Sequence, residues 1–283
     1  MRMSQPNNRS QARAILPSAR HHRGVTDGAL RDLLDPLEQL ARGSTQFFTA
    51  HQRWNDVLGI EHILPRFLFV GPGSRGNYLR VGIFAGIHGD ETAGVHAALQ
   101  MLRRLHDDPA PALGYELFVF PVCNTYGFQH GSRFAASGAD LNREFWRGSN
   151  EPEVVSLERQ IRQLQFDGLL SLHADDTSSG IYGFAKGHQL TRHVLEPALE
   201  AAAKILPRNF DKSIDNFEAN NGIILKGYEG VLGAPPEQHP KPFEIVFETP
   251  QNSSFEPQIE ANIEATFAVL KHFRTLISEA QNI

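Results

Sequence analysis

The sequence predicts a single α/β domain, a three-layer sandwich around a mixed, mostly parallel sheet. Three observations carry that expectation. Apolar runs of strand length alternate with amphipathic helical stretches from residue 63 onward. Several runs are apolar throughout rather than alternating, as in LRVGIFAGI at 79–87, which is the pattern of strands covered on both faces. No shift in composition and no internal repeat divides the 283 residues, a length that one large domain can take.

The elements follow in order. Residues 1–26 are polar and basic and include His21, His22 and Arg23, which reads as a flexible, solvated leader; residues 27–283 form the domain. The leucine spacing in 28–42 predicts a helix that Pro36 breaks or kinks. A second short helix is expected over 44–59, with Phe47, Phe48 and Trp54 packing inward. ILPRFLFVG at 63–71 reads as the first strand, and 78–87 as the next. A helix over 92–105 ends on Arg103, Arg104 and His106, as its dipole favours. YELFVFPVC at 115–123 is a third strand, followed by a long polar and aromatic loop with no clear period. Loops of that length in a compact domain are usually functional or mobile. Residues 151–165 form a helix with Pro152 in its first turn, and FDGLLSLHAD a fourth strand ending near His173. A Gly/Ser-rich loop at 177–187 precedes a helix over 189–205 with a kink at Pro197. Residues 207–241 read as irregular. PFEIVFETP supplies the last strand, at 242–249, and 255–278 a closing helix with Ile259, Ile263, Phe267, Leu270 and Phe273 on one stripe.

Composition excludes several functions. Hydrophobic residues make up 41%, too many for a disordered chain. A net charge of −5 argues against nucleic acid as the main partner, because phosphate binding needs a basic field. No apolar run approaches the roughly 20 residues of a membrane-spanning helix, and the first residues lack the apolar core of a signal peptide. With Cys123 the one cysteine, no intrachain disulfide can form, and a cytoplasmic location is expected. Cys123 lies in an apolar run and reads as a small core residue rather than a nucleophile. Oligomeric state leaves no mark in the sequence.

Chemistry gathers at three strand ends. His88 and Glu91 follow the strand 78–87 within a glycine-rich corner, where open α/β sheets place their sites. Their spacing, in a turn opening into a helix, can bring an imidazole and a carboxylate to one metal ion. Asp90 between them either caps the helix at Thr92 or orients His88. His173 ends the fourth strand. Glu248 ends the last, with Glu244 four residues earlier on the same face. Two histidines, one carboxylate and an open position suit catalytic zinc, and a second carboxylate can act as general base. Each residue alone could equally be a core histidine or a surface carboxylate. The loop after Asn124 adds Arg133, Asn142 and Arg143, whose guanidinium groups can bind a carboxylate or an oxyanion.

With these motifs in view, the sequence resembles the zinc carboxypeptidase superfamily, which includes the succinylglutamate desuccinylases and aspartoacylases. GIHGDETAG carries the family's H-x-x-E ligands at His88 and Glu91, and SLHADD its third ligand at His173. NTYGFQHGSRFAASGADLNREF carries its oxyanion arginine at Arg133, and D-L-N-R at Asp140 to Arg143, where Asn142 and Arg143 grip the substrate's carboxylate. FEIVFETP places its catalytic glutamate at Glu248. The resemblance covers about residues 63–278. It implies one zinc ion and a peptide or N-acyl amino acid substrate with a free carboxylate. Asn124 is followed by Thr125 where many members have proline. The family peptidases' mobile-loop tyrosine has Tyr228 as its nearest counterpart, with Tyr182 the alternative pocket residue. Aspartoacylase-like members add a small C-terminal β domain, and none is expected after Leu276, which favours a peptidase over a deacylase. A non-catalytic zinc or carboxylate-binding module is the remaining alternative.

Overall fold

The computed structural model describes residues 28–55, 61–73 and 78–280. The leader expected at 1–26, with its histidine pair, lies outside these. Helix α1 (Gly28–Arg42) is followed by β1 (Phe47–Thr49), β2 (Gln52–Asn55), β3 (Glu61–Leu64), β4 (Phe67–Val70) and β5 (Leu79–Ala85). Then come α2 (Thr92–Asp107), β6 (Tyr115–Phe120), α3 (Thr125–His130), α4 (Pro152–Leu164), β7 (Gly168–Asp175) and β8 (Tyr182–Ala185). The chain closes with α5 (His188–Leu190), α6 (Glu196–Ala202), β9 (Ser213–Ile214), β10 (Phe217–Glu218), β11 (Ile223–Ile224), β12 (Phe243–Pro250) and α7 (Phe255–Ala280).

Eight strands form one sheet in the order β1-β4-β6-β5-β7-β12-β8-β11. The central four are parallel; β4 and β1 extend one side antiparallel, and β8 pairs antiparallel with β12 on the other. Both faces are covered, which is why the central runs are apolar throughout. On one face Val81, Ile83, Leu170, Leu172, Ile245 and Phe247 pack with residues of α1, α2, α6 and α7. On the other, Phe84, Phe118, Phe120 and Leu169 pack with Val154, Leu157 and Ile161 of α4. The three layers are those expected. The closing helix buries Ile259, Ile263, Leu270 and Phe273, with Phe267 partly covered. Each such side chain contributes about 1.5–3 kcal/mol of burial energy.

Six local expectations meet a different structure. Of the two outcomes expected at Pro36, the break does not occur: α1 continues through it to Arg42. No helix forms over the described part of 44–59: Phe47 pairs with Phe69 across β1 and β4, and Trp54 lies in the β2–β3 pair. The aromatic residues prefer a pleated surface that buries them. The run 63–71 is two strands, because Pro65 has no N–H for a ladder. Residues 177–187 are not all loop: β8 joins the sheet in register with β12, Val246 opposite Phe184 and Glu248 opposite Tyr182. The irregular 207–241 contains the β9–β10 hairpin and the edge strand β11, and the aperiodic loop after Asn124 contains α3.

Because β5, β7 and β12 run parallel, their C-terminal ends meet at one sheet edge. His173 and Glu248 are register partners there. The corner after β5 packs tightly on α3. A Cβ on Gly89 would lie 1.9 Å from the Gly127 carbonyl carbon, so only glycine fits beside His88. Asn124 caps α3, accepting from the Gly127 N–H at 2.8 Å.

Candidate active site

Three buried side chains converge at that edge. Glu91 Oε1 lies 2.5 Å from His88 Nδ1, and Oε2 lies 2.8 Å from His173 Nδ1. Glu91 Oε2 also accepts from the Ala174 N–H at 3.1 Å. One ligand atom from each residue falls within 4.8 Å of the others, and all three residues are at most 4% exposed. Burial alone raises a carboxyl pKa, but the His173 and His88 imidazoles outweigh it and hold Glu91 down to about 2. Glu91 is therefore an anion between two inward-facing Nδ1 atoms. Two imidazoles and a carboxylate are a donor set suited to a borderline divalent ion, so these residues fit one metal.

Asp140 supports this group from outside. Its Oδ1 lies 3.1 Å from His88 Nε2, and its Oδ2 accepts from Arg133 Nη2 and Nε at 2.9 and 3.2 Å. Burial pushes Asp140 up, yet His88 and Arg133 hold its carboxyl well below the usual range. Arg133 Nη1 is also 3.6 Å from Glu91 Oε1. Asp90, by contrast, neither caps α2 nor touches His88. The helix begins without a side-chain cap, and Asp90 Oδ1 has no partner. The residue that orients His88 is Asp140, visible in the sequence only as part of the D-L-N-R string.

Glu248 stands between His173 on β7 and Tyr182 on β8. Burial and the Glu91, Asp175 and Asp215 carboxylates raise its pKa well above that of an ordinary glutamate. Tyr182 is buried, with its hydroxyl donating to Asp175 Oδ2 at 2.8 Å. His88, Glu91, His173, Arg133, Asn142, Arg143, Tyr182, Tyr228, Glu244 and Glu248 all line one cavity of about 400 Å³. Every site residue named from the sequence thus reaches it. Asn142 accepts from the Leu232 N–H at 2.9 Å, which leaves its amide N–H groups for another partner. The Arg143 guanidinium sits 4.0 Å over the Tyr228 ring. Asp175 and Asp215 also line the cavity and were not anticipated. Asp215 had one signal, the Asp-Asn pair between short apolar stretches that marks a tight hairpin.

These features define a metallocarboxypeptidase-like α/β fold with a His-Glu-His site at its sheet edge. Residues 77–210 match the succinylglutamate desuccinylase/aspartoacylase catalytic domain family. The zinc carboxypeptidase superfamily is thus what the chain resembles in both sequence and fold. No curated protein matches the chain. Among solved structures, a candidate metallopeptidase from Shewanella denitrificans has a TM-score of 0.70 at 22% identity, over 86% of this chain and 89% of that one. A metallo-carboxypeptidase from Burkholderia cenocepacia gives 0.67 at 18%, over 89% and 70%. A metallo-carboxypeptidase from Pseudomonas aeruginosa, in complex with (2-guanidinoethylmercapto)succinic acid, gives 0.63 at 18%, over 85% and 68%. Among the described residues, no helix is long and apolar enough to cross a membrane.

Proposed function

We propose that this protein is a zinc-dependent amide hydrolase of the metallocarboxypeptidase kind, cleaving the bond next to a free carboxylate. The observation that carries the proposal is the convergence, in one cavity, of the buried His88–Glu91–His173 group, Glu248 and Arg143. His88, Glu91 and His173 would hold one zinc ion, which when bound would supply Lewis acidity to the site. Glu248 takes a proton from the attacking water and returns it to the leaving amine. Burial and the neighbouring carboxylates raise its pKa, which makes its carboxylate a stronger proton acceptor. Arg133, fixed by Asp140, donates to the developing oxyanion. Arg143 receives the substrate's carboxylate, with the Asn142 amide beside it. Tyr228 and Tyr182 wall the space around the substrate. The succinic acid derivative bound by the Pseudomonas aeruginosa neighbour is itself a dicarboxylate, which supports carboxylate recognition in this fold.

The match of residues 77–210 favours a second reading, an N-acyl amino acid deacylase with the same mechanism and the same need for a free carboxylate. A substrate panel separates the two: short peptides with free or amidated C-termini against N-acyl amino acids, assayed with zinc-loaded protein. The proposal expects kcat/KM to fall sharply where the free carboxylate is amidated. Glu248→Gln is expected to keep its zinc and lose roughly 10²–10⁴-fold in turnover. Turnover near the wild-type value in that variant would remove Glu248 from the role of base.

A further inference from the structure

The β9–β10 hairpin carries Asp215, which lines the cavity and acts on Glu248 through its charge. Its two turn residues, Asp215 and Asn216, have φ of 51° and 63°, the left-handed pair of a type I′ turn. The turn aims the Asp215 side chain at Tyr228. The Tyr228 hydroxyl donates to Asp215 Oδ1 at 2.9 Å and to its carbonyl oxygen at 3.2 Å. The Tyr228 ring meets Phe217 of β10 edge-on, with centroids 4.7 Å apart, and Phe217 meets Phe184 of β8 in the same way at 6.0 Å. The hairpin is therefore docked on the sheet through Phe217 and grips Tyr228 from two sides. The other face of the Tyr228 contact is Arg143, whose guanidinium carbon lies 4.0 Å from the ring centroid.

The segment after Tyr228 closes on the same arginine. The Gly230 carbonyl accepts from the Phe145 N–H at 3.0 Å, and the Leu232 N–H donates to Asn142 Oδ1 at 2.9 Å. Gly230 has φ of 74°, and a Cβ there would lie 2.3 Å from the Arg143 carbonyl oxygen. Backbone contacts thus fix where the Arg143 main chain lies, while the guanidinium donates to the Asn142 carbonyl at 2.8 Å, sits over the Tyr228 ring and feels the Asp215 carboxylate. An arginine with several rotatable bonds loses side-chain entropy when it docks a ligand, and pre-ordering removes part of that loss from the binding step.

We propose that Asp215 is a positioning residue for the carboxylate dock: from the 213–218 hairpin it fixes Tyr228, and the Tyr228 ring holds the Arg143 guanidinium ready for substrate. The inference rests on the reading of Arg143 as the group that receives a substrate carboxylate. It gives the hairpin a purpose in substrate selection, through ground-state binding rather than through the chemical step.

Two measurements test it. In zinc-loaded protein, Asp215→Ala is expected to raise KM for the free-carboxylate substrate roughly tenfold and to leave KM for the amidated analogue unmoved, while any change in kcat that follows from relieving Glu248 is shared by both substrates. Asp215→Asn, which retains an oxygen acceptor, restores KM to near wild type. Tyr228→Phe combined with Asp215→Ala adds nothing to the single loss. An equal rise for both substrates, an additive double variant or an unchanged KM overturns the proposal. The second measurement needs no turnover. The ring current of Tyr228 displaces the Arg143 Nε–H resonance, and Asp215→Ala returns it toward the ordinary arginine position. If that resonance does not move, the latch is absent whatever the enzyme does. If it moves and no substrate is cleaved, the latch stands and the hydrolase reading falls.

Discussion

Asp140 shows how much one carboxylate does beyond the metal-type group. It meets His88 Nε2 with one oxygen and Arg133 with the other, so it couples the proposed ligand to the proposed oxyanion donor. By accepting from a protonated Nε2 at the first contact, it would leave Nδ1 as the nitrogen that His88 offers to a metal ion. Through the second it holds a guanidinium that is otherwise a little over one-third exposed. Asp140→Asn keeps the shape and removes the charge. Zinc affinity is expected to fall roughly 10–100-fold, the usual worth of a hydrogen-bond partner behind a metal-bound histidine. Competition with a chromogenic chelator measures it. Wild-type affinity in that variant would show that His88 needs no orienting anion. At this scale the sequence was readable where chemistry sits on a strand end, as with His88, His173 and Glu248. It was not readable where a partner comes from a distant loop. Asp140 lies 52 positions from His88, and no local spacing distinguishes the orienting role of Asp140 from that of Asp90, adjacent to Glu91.

Elements show the same division. The long runs of β5, β6, β7 and β12 and the stripe of α7 were legible because many residues agree on one period. Short strands gained no such vote. β8 has four residues, two of them beside or between glycine and aromatic side chains, and it exists because β12 offers an unpaired edge. β1 exists because β4 does likewise. The segment carrying β9 to β11 is anchored by Arg208, almost fully buried, whose guanidinium makes two 2.7 Å bonds to Glu196 of α6. The Arg208 hydrogen bond holds the Glu196 carboxyl below its ordinary pKa, against the smaller upward push of burial. A depressed carboxyl contributes stability above its unfolded value, near 4, and that contribution disappears as pH falls through the folded value. Glu196→Gln is accordingly expected to cost about 1 kcal/mol at pH 7, since the glutamate is about one-third exposed and screened. The difference between variant and wild type shrinks toward zero in acid. Urea unfolding at the two pH values reads both terms; a pH-independent difference would show that packing of α6, not the ion pair, is what the variant disturbs.

Across the whole molecule, the site concentrates unfavourable electrostatics that the fold must carry. Glu91, Glu248, Asp175 and Asp215 lie close enough that each of the first, third and fourth raises the pKa of Glu248. Uncompensated burial of charge is costly, and Arg133 opposes it at Glu248. A divalent ion held by His88, Glu91 and His173, as proposed, would supply the missing positive charge and bind only the folded arrangement, because these residues come from the ends of β5 and β7, Glu91 and His173 being 82 residues apart. Stability should therefore track metal. With free zinc at about a thousand times its dissociation constant, mass action adds about 4 kcal/mol to folding. For a domain of this size that raises Tm by roughly 10 °C over the chelated protein. His173→Ala is expected to abolish the rise, while Glu248→Gln retains it, because Glu248 is assigned to proton transfer and not to the metal. A zinc-dependent rise that survives His173→Ala would place the ion elsewhere in the chain. A rise lost in Glu248→Gln would make that residue a ligand and return the identity of the general base to the other carboxylates of the cavity.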